Sequence, residues 1–232
     1  MKQITLDRFG IDEIISLYKD KPVIKVLQGI RRSGKSFMLE LLSRKIVENS
    51  ATENQILLLN MEDFENVELL DSKKLYDFIK SKSEAADGKK LYLFLDEIQE
   101  VSGWEKLVNS LYSSATIDAD IYITGSNANL LSSELATYLS GRYVLIHVWP
   151  LSYREFLYFN SENDSAAAFR KFIEFGGFPG LKDMMENPVQ IRSYLEGIYS
   201  TVLLKDVIAR NRIRDTAVLE KIILYIGIKI ST

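Results

Sequence analysis

Gly29-Ile30-Arg31-Arg32-Ser33-Gly34-Lys35-Ser36 is the stretch on which the fold turns. It fits the template G-x-x-x-x-G-K-[ST], a phosphate-binding loop when it joins a strand to a helix. Each position has a chemical reason. The glycines let the backbone curl so that successive N–H groups point inward at an anion. The helix that follows presents its positive end to the same anion. Lys35 then reaches the β- and γ-phosphates, and the Ser36 hydroxyl is a ligand for Mg²⁺. Ser33 and Phe37 lie within the same phosphate-facing run, and Arg31 and Arg32 either touch phosphate or pair with nearby acids. A chain of this length and composition yields roughly 0.006 such matches by chance, so the loop is a signal and not an accident of glycine content.

The flanks supply the context. Val23–Leu27 is a short strand-like run before the loop, and 35–49 reads as a helix, with Met38, Leu41, Leu42 and Ile46 on one face. Ile11 to Tyr18 forms a short amphipathic helix upstream. Downstream, residues 55–61, 91–95, 121–124 and 143–148 are apolar runs of the kind a strand covered on both faces shows. Helical patterns separate them, over 75–80, from Trp104 onward and over 129–140. Capping-box spacing is expected to start helices at Ser102 to Glu105 and again at Ser152 to Glu155. Past residue 152 the expected elements are all helices, over 166–175, 188–209 and 216–230. Alternating strands and helices followed by helices alone predict an α/β parallel sheet of about five strands and a smaller all-α domain. The expected division is a nucleotide core over 1–150 and a helical domain over 151–232.

Two carboxylates, Asp96 and Glu97, end the apolar run Leu91-Tyr92-Leu93-Phe94-Leu95. Ligands of open parallel sheets bind outside the carboxyl ends of the strands, where the glycine loop also falls. Asp96 is therefore expected to hold Mg²⁺ opposite Ser36, and Glu97 to polarise an attacking water, general-base work worth roughly 10²–10⁴ in rate. Thr124-Gly125-Ser126-Asn127 ends another strand at that edge. There Ser126 and Asn127 are the expected γ-phosphate or water contacts, although turn residues would also stand at a strand end. Arg142, before the last strand, is either an arginine reaching a nucleotide on a neighbouring subunit or a plain surface side chain.

Composition removes other chemistries. The 232 residues include no cysteine and one histidine, His147, so thiolate nucleophiles, disulfides and multi-His metal sites are excluded. The net charge of −3 offers no global field to recruit nucleic acid or an anionic membrane. The basic cluster Lys205, Arg210, Arg212, Arg214 and Lys221 is diluted by Asp206, Asp215 and Glu220, and reads better as a solvated helix end. His147 reads as a core residue of its strand or a satisfied hydrogen-bonder. The aromatics Phe156, Tyr158, Phe159, Phe169, Phe172 and Phe175 read as packing residues. The N-terminus lacks the apolar stretch of a signal peptide, which with zero cysteine points to the cytoplasm.

Taken together, the glycine loop, Leu95-Asp96-Glu97-Ile98-Gln99, Thr124-Gly125-Ser126, Ser140-Gly141-Arg142-Tyr143 and Pro150-Leu151-Ser152-Tyr153-Arg154-Glu155-Phe156 resemble prokaryotic AAA-type P-loop ATPases that carry a C-terminal domain of unknown function. Gly176-Gly177-Phe178-Pro179 and Leu204-Lys205-Asp206-Val207 resemble that second domain. The resemblance implies ATP as the nucleotide, a five-stranded sheet in AAA order, and Walker A, Walker B and sensor roles for the residues above. Family members usually run further, so the helical domain is expected to be incomplete. The expected function is Mg²⁺-dependent ATP hydrolysis coupled to an unidentified protein partner, with a homo-oligomer allowed and no membrane association. A nucleotide-gated interaction module with slow hydrolysis is the alternative. A small-molecule P-loop kinase is a weaker one, because such enzymes usually lack an acid directly after the Asp.

Overall fold

The structure, a computed structural model, describes residues 10–126, 139, 141–184, 187–202, 208, 218, 219, 221, 222 and 225. Five strands, β1 (Ile24–Gly29), β2 (Ile56–Asn60), β3 (Leu91–Asp96), β4 (Ala119–Ser126) and β5 (Tyr143–His147), form one sheet in the order β2-β3-β4-β1-β5. All four pairings are parallel. The chain leaves β1 to build the far edge and returns to lay β4 beside β1. Parallel pairing requires crossovers, and helices supply them. These are α2 (Lys35–Asn49) after β1, α3 (Ser72–Ala85) after β2 and α4 (Trp104–Tyr112) after β3.

The inner strands β1, β3 and β4 are covered on both faces, whereas the edge strands β2 and β5 differ from the expected full cover and leave Leu58 and Leu145 exposed on one side. On one face Leu39, Leu42 and Ile46 of α2 and Ile11 of α1 (Ile11–Tyr18) pack with Leu27, Phe94 and Tyr122. On the other, Leu75 and Ile79 of α3 and Trp104, Leu107, Val108 and Leu111 of α4 pack with Val26, Leu93, Leu95 and Ile123. Alternate residues of each strand thus feed two cores.

Two helix starts depart from the expected ones. The periodicity over 75–80 belongs to a longer helix, because Asp71 accepts hydrogen bonds from the N–H groups of Lys73 and Lys74 and so starts it at Ser72. Ser102 does not cap α4. Its N–H donates to Leu70 O at 2.9 Å, and Gly103 (φ 73°) takes the N-cap position instead. The second capping box does form. Ser152 Oγ accepts from Glu155 N at 3.4 Å and Glu155 Oε2 accepts from Ser152 N at 2.8 Å, starting α5 (Tyr153–Asn160). The helix expected over 129–140 and most of the pattern over 216–230 lie outside the described residues.

By packing, Met1–Glu186 is one compact unit and Asn187–Thr232 a second. The division expected at 150 on secondary structure and the division by packing thus fall in different places. Leu151 N–H donates to Gly177 O at 2.7 Å, and a Cβ on Gly177 would lie 2.0 Å from Leu151 O, so only glycine allows this approach. Tyr153, Phe156, Phe169 and Phe172 form an aromatic cluster between α5 and α6 (Ala166–Phe175), with ring centroids 5.2–5.4 Å apart. These aromatics pack as expected, although Tyr158 and Phe169 stay half exposed. His147 differs from its expected core position: it is exposed and stacks on Trp149 at 5.9 Å. The second unit contains α7 (Pro188–Thr201), capped by Asn187 Oδ1, which accepts from Val189 N and Gln190 N.

At the amino end of the sheet, Lys25 and Asp120 form an ion pair with both side chains almost wholly buried. Asp120 Oδ2 also accepts from Asp20 N at 2.9 Å and Tyr122 OH at 3.1 Å, and Lys25 Nζ donates to Lys21 O at 3.0 Å. Burial pushes the Lys25 ammonium pKa down, while Asp120 opposes the shift. Removing one partner of such a pair strands the other charge, at a cost of about 3–5 kcal/mol. Lys25→Met is expected to lower unfolding free energy by that amount in urea titrations, and Lys25→Met with Asp120→Leu to recover most of it. A single variant as stable as the parent chain would remove this pair from the account of the fold.

Candidate functional site

The site is built where β1, β3 and β4 end at the same edge. β1 stops at Gly29 and α2 starts at Lys35, so residues 30–34 must reverse the backbone within one short turn. Gly29 is forced by space: a Cβ there would lie 2.2 Å from Val148 O and 2.7 Å from Ser33 Oγ. Gly34 is the N-cap of α2 at φ 93°, and Arg32 also adopts a left-handed φ of 63°. Ser33 N–H closes the turn on Ile30 O at 3.2 Å. The Ser33 hydroxyl is buried with no hydrogen-bond partner, an orphaned group at the mouth of a helix N-terminus. Phe37 is partly buried and packs against the α1/α2 core.

Lys35 is 4% exposed, and its Nζ lies 3.6 Å from Glu97 Oε1 and 3.4 Å from Ile30 O. Glu97 Oε2 accepts from Gln99 Nε2 at 2.6 Å. The general-base candidate is therefore tied through both oxygens. Its backbone is held at φ 50°, an unfavourable conformation for a residue with a side chain.

Thr124, near the end of β4, stabilises that arrangement. Its Oγ1 donates to Asp96 Oδ1 and accepts from Glu97 N–H at 2.9 Å. Burial pushes the Asp96 carboxyl pKa up, and hydrogen bonds from Ser36 and Thr124 pull it back. Glu62 is raised likewise, first by desolvation and then by the charge of Glu97, with Arg31 opposing. The segment after β2 thus borders the site as well.

The expected metal ligands, Ser36 and Asp96, are brought together. Among the described residues no three His, Asp or Glu side chains converge on a metal-sized site. A hydroxyl and a carboxylate sharing a hydrogen bond suit Mg²⁺, which keeps several waters and takes phosphate oxygens rather than a full protein cage.

Other expected residues fall differently. Ser126 pairs with Gly29 in register, which places its backbone beside the loop, and Asn127 lies outside the described residues. Arg142 precedes β5, and its carbonyl accepts from Ile24 N at 2.8 Å, at the start of β1. The length of β1, on the order of 16 Å, separates it from its own phosphate loop. Its guanidinium donates to Asn109 Oδ1 and lies over the Tyr112 ring at 5.7 Å.

The sequence reading did not single out Thr124, Gln99 or Glu62. Thr124 carried one signal, a polar residue closing the apolar run Ile121–Ile123. Among the described residues no helix is long and apolar enough to cross a membrane.

The chain is 39% identical over 231 residues to an uncharacterized protein of Haemophilus influenzae, covering 98% of this chain and 56% of that one. It is 32% identical over 208 residues to an uncharacterized protein of Methanocaldococcus jannaschii, covering 83% and 43% respectively. The chain thus spans about half the length of these relatives. Among solved structures it is similar to AMPPCP-bound DnaA from Aquifex aeolicus, with TM-score 0.47, 15% identity, and coverage of 94% of this chain and 67% of that one. The model of the AAA domain family matches residues 21–157, from before β1 into α5. With a parallel sheet in the order β2-β3-β4-β1-β5 and a glycine loop between β1 and α2, the chain belongs to the AAA domain family of P-loop NTPases.

Proposed function

We propose that this chain binds ATP with Mg²⁺ and hydrolyses it to ADP and phosphate, using the cycle to act on a partner. The observation that carries the reading is the convergence of Lys35, Ser36, Asp96, Glu97 and Thr124 at one sheet edge. The backbone amides of residues 30–36 receive the phosphates, and Lys35 turns from Glu97 toward them. When bound, Mg²⁺ neutralises phosphate charge, with Ser36 and Asp96 as its protein ligands. Release of Lys35 leaves Glu97 Oε1 free to accept a proton from the attacking water, while Gln99 still orients Oε2.

The double tie on Glu97 also favours a second reading, a nucleotide-gated interaction module whose slow hydrolysis only resets it. A turnover far below roughly 1 s⁻¹, the low end of ordinary enzymes, with and without added proteins would favour that module.

Lys35→Ala is expected to weaken ATP binding about 10–100-fold in calorimetry, the worth of a charge-assisted contact. Equal affinity in the two proteins would move the nucleotide elsewhere. Glu97→Gln is expected to keep ATP affinity and lose roughly 10²–10⁴ of the hydrolysis rate; an unchanged rate assigns the base to another group. Thr124→Val keeps the shape but leaves Glu97 N–H unsatisfied and takes one of two side-chain hydrogen bonds from Asp96, which keeps that of Ser36, an expected loss of about 1–3 kcal/mol in stability together with slower turnover. Denaturant titration and a phosphate-release assay on the same sample measure both.

A further inference from the structure

The turn that leaves β2 carries an apolar surface that the phosphate site does not use. Its residues read Glu62-Asp63-Phe64-Glu65-Asn66-Val67-Glu68. Phe64 is 87% exposed and Val67 48%. They stand three apart in the 3₁₀ turn over Phe64–Leu70, and residues at that spacing eclipse along one side of such a turn.

The exposure is part of a tied structure and not of a loose loop. At the start, Met61 is buried and its N–H donates to Asp96 O at 3.0 Å. Asp63 N and Asn66 Nδ2 both donate to Asn60 O, at 3.2 and 2.8 Å. At the end, Leu69 and Leu70 pack on the core, and Leu70 O accepts from Ser102 N at 2.9 Å. A fixed, fully presented aromatic is the form that binding anchors take, because little conformational freedom is lost when a partner covers it.

The charge around it selects the partner. Four carboxylates lie in seven residues, and no Lys or Arg occurs from 62 to 72. Such a field repels phosphate backbones and attracts Lys and Arg. The turn also starts beside the phosphate loop, since Arg31 and Glu97 both act on the Glu62 carboxyl.

We propose that this turn is a docking site for a basic polypeptide segment of a partner protein. Phe64 and Val67 take an apolar side chain of that segment, and the flanking carboxylates take its Lys or Arg groups. The assignment stands whether or not the chain hydrolyses ATP.

The test is fluorescence anisotropy with a short labelled peptide alternating Leu and Lys, titrated with the parent chain, Phe64→Ala and the pair Glu65→Lys/Glu68→Lys. The altered side chains are exposed, so circular dichroism should match across the three proteins. The expected result is binding by the parent chain, weakened about tenfold in either variant and by added salt. Equal affinity across the three proteins, or no binding, overturns the proposal. So does tighter binding of a Leu/Glu peptide or of single-stranded DNA. Sedimentation showing a dimer in the parent chain and a monomer in Phe64→Ala gives the surface to a second copy, and also overturns it.

Discussion

The hydroxyl of Thr124 joins the end of β4 to the Asp96 carboxylate and the Glu97 amide at the end of β3, and the geometry of the site depends on that join. One oxygen donates to Asp96 and accepts from the Glu97 amide, so it orients an acid and stabilises an unfavourable backbone in the same contact. A left-handed residue with a side chain costs of order 1–3 kcal/mol and persists only where its surroundings over-determine it. Here those surroundings are a parallel sheet whose register sets Leu95 opposite Ile123, one residue short of both Asp96 and Thr124. Buried polar groups satisfied in this way act as a unit, because removing one partner leaves the others desolvated and unpaired.

Charge is confined to the two ends of the sheet. The carboxyl edge carries Lys35 against Glu97, with Ser36 and Thr124 on Asp96; the amino edge carries Lys25 against Asp120. Between them the inner strands bury mainly apolar side chains on both faces. The two edges differ in what their lysines can do. Lys25 is enclosed by Asp120, Lys21 O and the Tyr122 ring, a closed arrangement that serves stability. Lys35 bridges Glu97 and the Ile30 carbonyl in the turn that also holds the unsatisfied Ser33 hydroxyl.

Much of the fold is legible in the sequence because its signals are local. The runs at 91–95 and 121–124 read as buried strands, and they are, since a parallel sheet covered on both faces leaves no polar alternation. The helix over 35–49 matches its periodicity, and the box at Ser152 to Glu155 closes as its spacing implies. The box at Ser102 does not close, although its spacing is the same, because the Ser102 amide is taken by Leu70, a residue 32 positions earlier. Likewise the start of α3 at Ser72 has no apolar marker; it depends on Asp71 folding its carboxylate over two amides.

The sequence by itself determined the phosphate loop and the acid pair. An anion nest needs glycines at set offsets before a helix, and a buried strand needs an apolar run; both are short-range requirements. Tertiary structure alone decided that Thr124 serves the acids, since only the register of the sheet brings it to Asp96. It also decided that Gln99 holds Glu97, that Arg142 stands a strand's length from its own loop, and that Phe64 remains uncovered. Each of these depends on which strands become neighbours, and strand order is set by the packing of two cores rather than by any stretch of chain read alone.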